Sequence, residues 1–185
     1  MTLHPAKSRA HATFDRAIDD AVSLLNQFDT VHKDQTKLGD VLKRASLVIA
    51  LTAWETYVED RIKEAVHLRL KAVSGSPIGK FVSGKLEDEL KRFHNPTSEK
   101  TRKLFLDYLE IDVTAGWKWQ HFEPAAARKS LDALIAKRGD AVHTSQPVTS
   151  GGPPAPSLIK RDELDKAIRF LRGLVQATDG MLIDH

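Results

Sequence analysis

Arg138 and His143 are side chains that can work together on a phosphodiester. Arginine is a fixed cation whose planar fork matches phosphate oxygens. Histidine is the side chain best placed to move protons near neutral pH. The two are the minimum set for cleaving RNA without a metal. Asp140 lies between them in the chain. Positions five apart on an ideal helix point about 140° from each other, at ~3.6 residues per turn. The pair converges only if the helix distorts near Gly139 or a second subunit completes the site. Spacing alone is explained more simply by a surface arginine and a histidine near a helix end.

Other constellations carry less chemistry. Gly75-Ser76-Pro77-Ile78-Gly79-Lys80-Phe81 superficially looks like a phosphate loop. A true one has four residues between its glycines and a Ser or Thr after the lysine; here there are three, and Phe81 follows Lys80. It also needs a preceding strand, whereas this segment reads as a turn leading into a helix opened by Pro77. The eight histidines are scattered, no HExxH occurs, and no metal site is expected. Trp117-Lys118-Trp119 has the composition of a base-stacking platform, but reads better as an aromatic anchor for a loop. No GxSxG elbow is present to carry a serine nucleophile.

The elements that must position Arg138 and His143 all read as helices. Phe14, Ile18, Val22, Leu25 and Phe28 recur at three- and four-residue steps. From Asp40 to Ser74 there is neither Gly nor Pro, and Leu47, Leu51, Trp54, Val58 and Ile62 keep helical spacing. The run Leu47 to Leu51 has a strand's composition, but its unbroken helical flanks decide for helix. One long helix, ending near Val73, is expected. A third helix runs from Pro77 toward Phe93, with a break anticipated near Gly84. Thr97 and Ser98 are N-cap candidates for a fourth, through Leu104 to Leu109. Ile111 to Phe122 reads as irregular. Pro124 to Lys137 reads as a fifth helix, and the last starts near Asp162. Between them lies a loop rich in Pro and Gly, from Gln146 to Ser157. The expected fold is all-α: a single helical bundle spanning 1–185, with a long second helix and a flexible loop at 145–158 before the last one.

Composition sets the bounds. The chain has 185 residues, 41% of them apolar and about 46% with glycine added, ordinary for a soluble globular protein. It has no cysteine, which removes disulfide scaffolds, thiolate metal sites and thiol catalysis. No apolar run approaches the ~20 residues of a membrane span, and Met1 to Ala12 lacks the apolar stretch of a secretory signal. A cytoplasmic address is the plain expectation. Lys plus Arg is 28 against 25 acidic residues, a net charge of only +3. Any nucleic-acid activity must therefore come from a local site rather than an overall positive field.

Three regions together resemble a known family. Leu51-Thr52-Ala53-Trp54-Glu55-Thr56-Tyr57-Val58-Glu59-Asp60 is similar to the long-helix motif of HEPN domains (higher eukaryotes and prokaryotes nucleotide-binding) of the RiboL-PSP type, with Glu55 in the place of the typical acid. Phe93-His94-Asn95-Pro96-Thr97 through Leu104-Phe105, then Trp117-Lys118-Trp119, resembles the family's middle section. Leu131 to His143, with Arg138 and His143 as Arg-x-x-x-x-His, resembles its terminal motif. Two positions depart from the pattern. Gly139 stands where a polar residue commonly follows the arginine, and Thr144 where a small residue commonly follows the histidine.

The resemblance implies a HEPN-like fold and a metal-independent endoribonuclease with no cofactor. Such proteins usually pair as homodimers, so that the Arg and His of both subunits face one cleft. His143 would then exchange protons with the ribose 2′-hydroxyl or the leaving 5′-oxygen. Arg138 would stabilise charge on the phosphoryl oxygens. Glu55 either orients Arg138 or is a solvated helix charge; Asp140 either bonds Arg138 or decorates the helix end. RNA is the expected partner, with an antitoxin or other protein partner if the chain is a toxin or defence effector; no membrane is involved. The alternative is a non-catalytic HEPN dimer that binds RNA, a nucleotide or a protein.

Overall fold

The structure, a computed structural model, describes residues 7–143 and 159–182; for 140–143 it describes the helical backbone. Among the described residues there are six α-helices and no strand, only an isolated bridge between Trp119 and Phe122. This is the all-α helical bundle expected. The loop anticipated at 145–158 lies outside the described residues.

Helix α1 spans Arg9–Thr30, capped by Ser8, whose hydroxyl accepts from the His11 amide. Its buried residues Phe14, Ile18, Ala21 and Leu25 repeat at helical steps and face α2. Helix α2, Thr36–Arg69, has 34 residues and is roughly 50 Å long at ~1.5 Å per residue. It packs against α1 along its length and also meets the other four helices. That central position explains why Leu47, Ala50, Leu51, Ala53, Trp54, Tyr57, Val58 and Ile62 are all buried. Small residues let α1 and α2 approach: Ser46 is fully buried and its hydroxyl donates to the Ala21 carbonyl at 2.7 Å.

A 3-10 turn over Lys71–Val73 leads to α3, Pro77–Leu90, with Ser76 as its cap and Pro77 in its first turn. Gly79 is required by contact, since a Cβ there would sit 2.2 Å from the Val73 carbonyl oxygen. The helix runs unbroken through Gly84, against the expected break, and ends three residues before Phe93. Helix α4, Ser98–Leu109, is capped by Thr97. A 3-10 turn at Val113–Gly116 follows, then α5 at Pro124–His143 and α6 at Arg161–Gly180.

Aromatic residues fill the centre. Trp54 meets Trp117 edge-on at 6.1 Å and Tyr57 at 5.7 Å, and Tyr57 meets Phe14 at 6.1 Å. Trp117 is fully buried, and its indole donates to the Thr178 hydroxyl at 2.9 Å. Trp119 stacks on Phe122 at 4.9 Å and leans on Phe170. Trp117 and Trp119 therefore anchor their loop to the core, the reading preferred over a base-stacking platform. Trp54 is core as well, with no exposed surface to offer a partner.

Asp179, near the end of α6, ties three helices together. Its carboxylate lies 2.9 Å from His11 Nδ1 on α1. It accepts from the Tyr57 hydroxyl at 2.9 Å and from Arg61 Nε at 2.8 Å, both on α2. The Ser8 hydroxyl adds two contacts at 3.0 Å.

The spacing predicts a fifth helix ending at Lys137, but α5 continues through Gly139 to His143. A glycine costs a helix about 1 kcal/mol relative to alanine, too little to stop a helix already held along its length. A Cβ at Gly139 would meet nothing within 4 Å. Gly139→Ala is therefore expected to stabilise the protein by about 1 kcal/mol, raising Tm by roughly 2–4 °C for a chain of this size. A thermal melt followed by circular dichroism measures it; an unchanged or lower Tm would contradict the helical assignment at that position.

Candidate functional site

The site is assembled where α2, α5 and the turn before α4 meet. Trp54 enters the core, and its indole N–H donates to the Pro96 carbonyl at 3.1 Å. This pins the His94-Asn95-Pro96 turn to the long helix. Asn95 has φ 51°, in the left-handed region that asparagine tolerates better than most residues. Its amide donates to Glu55 Oε2 at 3.3 Å.

The same turn is tied to α5. The Ser98 amide and hydroxyl each donate to the Asp132 carboxylate at 2.7 Å. The carboxylate satisfies the otherwise orphaned Ser98 N–H at the start of α4, where an anion is favoured. Asp132 thereby sets where α5 lies against α4, and Arg138 follows less than two helical turns later. Asp132→Ala is expected to cost about 1 kcal/mol, the usual worth of a cap. A urea midpoint unchanged from wild type would show that α5 is placed by other contacts.

Arg138 Nη1 donates to Glu55 Oε2 at 2.7 Å. Both side chains are mostly buried, 21% and 16% exposed. Glu55 thus faces Arg138 rather than open solvent, and the same oxygen, Oε2, also accepts from the Asn95 backbone amide. Charge-assisted bonds of this length are among the stronger ones. Glu59 lies one turn further along α2. Burial raises its carboxyl above the ordinary value; Lys63 offsets part of this, and Glu55 adds to it.

His94 is the residue the sequence reading did not single out. Its Nδ1 lies 3.5 Å from Glu55 Oε1, so one carboxylate faces both an arginine and a histidine. The His94 ring is 70% exposed. Its carbonyl accepts from Lys100 Nζ at 2.7 Å. Beside it, between α3 and α4, a cleft of about 440 Å³ is lined by the cations Lys85, Arg92, Lys100 and Lys103, the acids Asp88 and Glu89, and the rings of Phe93 and Tyr108. The local excess is cationic, although Lys103 is paired with Asp107 and Lys91 with Asp88.

Of the four residues proposed from sequence, the structure brings Glu55 and Arg138 together. Asp140 and His143 lie on the last turn of α5, and their side chains fall outside the described residues.

With this geometry in place, the comparison with known families is direct. The chain matches the RiboL-PSP-HEPN family over residues 13–184 and belongs to it. No curated protein and no solved structure gives a significant match. Among the described residues, no helix is long and apolar enough to cross a membrane.

Proposed function

We propose that the chain is a metal-independent endoribonuclease of the HEPN type, forming one helical domain across residues 1–185 and working as a homodimer in the cytoplasm. The observation that carries this reading is the 2.7 Å bond between Glu55 and Arg138. It joins the family's long-helix acid to the arginine of its terminal motif, two positions 83 residues apart. A guanidinium clamped on one side by a carboxylate is oriented in advance, which is what stabilisation of a developing phosphorane charge requires.

In the reaction, the ribose 2′-oxygen attacks the adjacent phosphorus and the bond to the 5′-oxygen breaks. Arg138 stabilises the extra charge on the non-bridging oxygens. His143 takes the 2′-hydroxyl proton. Products carry 2′,3′-cyclic phosphate and 5′-hydroxyl ends. DNA lacks the 2′-hydroxyl and is spared. Pairing of two chains places two copies of the Arg/His motif in one cleft. A toxin or defence effector, restrained by an antitoxin or another protein, fits such an activity.

Glu55 is a positioning residue. Glu55→Gln keeps the shape and removes the charge that holds Arg138. A displacement of about 1 Å at a reacting group costs about 100-fold in rate, so a loss of that order in kcat is expected with little change in KM. An unaltered kcat would show that Arg138 needs no such partner. The reading as a whole is tested with purified protein, single-stranded RNA and EDTA, beside His143→Ala. Cleavage by wild type alone supports it. Equal background from both would leave a HEPN dimer that binds RNA, a nucleotide or a protein without cutting.

A further inference from the structure

We infer that His94 is the second proton-transfer residue of the site, the general acid that protonates the leaving 5′-oxygen. This rests on the ribonuclease reading and extends it.

Transesterification of RNA moves two protons. One leaves the 2′-hydroxyl as its oxygen bonds to phosphorus. The other must reach the 5′-oxygen as the phosphorus–oxygen bond breaks. His143 serves the first. A single imidazole serving both transfers would have to sit on both sides of an in-line displacement at once. The second transfer falls either to the partner's His143 or to a group beside Arg138, and there the described structure places His94, against the same Glu55 carboxylate that Arg138 binds. Its proton goes to the 5′-oxygen, the 2′-hydroxyl proton goes to His143, and exchange with water restores both rings.

Three observations support the assignment. Glu55 spans the two groups, with Oε2 on Arg138 at 2.7 Å and Oε1 at 3.5 Å from His94 Nδ1. A carboxylate beside one ring nitrogen orients the ring and leaves Nε2, on its opposite side, to face substrate. Distances of this kind are often long before substrate binds and shorten in the complex. The backbone under His94 is fixed by the Trp54–Pro96, Asn95–Glu55 and Lys100–His94 hydrogen bonds. A residue whose ring is 70% exposed gains nothing in packing from so firm a foundation. Finally, His94 follows Phe93 in the chain and its carbonyl is held by Lys100, two residues that line the cleft together with Lys85 and Arg92. Those cations suit the phosphates of a strand running past the ring.

The test uses the full-length protein and an RNA whose cleaved bond has first been mapped with wild type. A second copy of that RNA carries sulfur in place of the leaving 5′-oxygen, a thiolate leaving group that departs without a proton. His94→Ala is expected to cut the ordinary RNA about 100-fold more slowly, the usual size of a general-acid contribution. It should cut the sulfur-substituted RNA within a few-fold of wild type. His143→Ala should be slow on both. Unimpaired cleavage of ordinary RNA by His94→Ala overturns the assignment, and so does an equal loss on both substrates, which would make His94 a binding or structural residue. In either case an active wild type leaves the ribonuclease reading standing. A wild type that cuts neither RNA ends both.

Discussion

Replacing Arg138 with alanine is expected to lower RNA cleavage by about two to three orders of magnitude, the typical cost of one electrostatic donor aimed at developing charge. Such a donor acts hardest where water is partly excluded, and the Arg138 side chain is only 21% exposed. Arg138→Lys should recover little. An ammonium is a compact point charge without the fork that meets a carboxylate on one side and a phosphate on the other. Both variants should fold, because α5 is also held by its buried residues Ala127, Leu131 and Ile135 and by Asp132. Rates on end-labelled RNA, beside circular dichroism spectra, give the result. Cleavage by Arg138→Ala within a few-fold of wild type would remove the guanidinium from the mechanism.

The second large effect concerns stability. Asp179→Ala is expected to destabilise the fold by about 3–5 kcal/mol, the range for removing one partner of a buried ion pair. That is a large part of the ~5–15 kcal/mol that holds a typical domain together. The cost arises from what is left behind. Arg61 and His11 are each 8% exposed and lose the carboxylate they face, while the buried Tyr57 hydroxyl keeps only its longer bond to the Val175 carbonyl at 3.3 Å. Burial raises the Tyr57 phenol well above its ordinary value, with Asp179's charge adding to this, so Tyr57 remains an O–H donor throughout the usual pH range.

The same node sets a pH dependence. Burial opposes ionisation of Asp179, but hydrogen bonds from Tyr57 and His11, the charge of Arg61 and the Ser8 hydroxyl outweigh it. The carboxyl therefore titrates below the ordinary aspartate value of about 3.9. A depressed carboxyl pKa stabilises the folded state above the unfolded value, and that stability is lost as pH falls through the folded one. Stability should thus drop below about pH 4 in wild type. In Asp179→Ala the same drop should be shallower, since the group that titrates is gone. Urea midpoints at a series of pH values read both effects. A midpoint for Asp179→Ala close to that of wild type at neutral pH would show that α1, α2 and α6 are joined by apolar packing alone.

The fold was legible where one kind of force dominated. No glycine or proline interrupts residues 40–74, so α2 declared itself, and its flanks settled the strand-like run Leu47 to Leu51. Thr97 and Pro77 marked their helix starts because capping and a fixed φ act locally. Glycine was over-read as a stop. Gly84 and Gly139 both lie inside helices, since tertiary contacts along α3 and α5 exceed the small local cost.

The site was legible only in part. Glu55 and Arg138 were named from motif positions, but their contact is tertiary and no helical periodicity contains it. His94 escaped because what distinguishes it from the other histidines is Glu55, 39 positions earlier on α2, whereas His94 lies in a turn. The Asp179 node was invisible for the same reason, its partners lying 118 to 171 residues away in sequence. Pairwise polar contacts between helices leave no repeating signal in a chain, whereas apolar faces do.

The chemistry at Arg138 is tested most directly by the ends it leaves. The RNA fragments released in excess EDTA are analysed by mass spectrometry, beside a DNA of the same sequence. The account predicts fragments ending in 2′,3′-cyclic phosphate, with 5′-hydroxyl on the partner fragment and the DNA intact. Fragments with 3′-hydroxyl and 5′-phosphate ends, cleavage of the DNA, or RNA left whole until a divalent metal is added would contradict it.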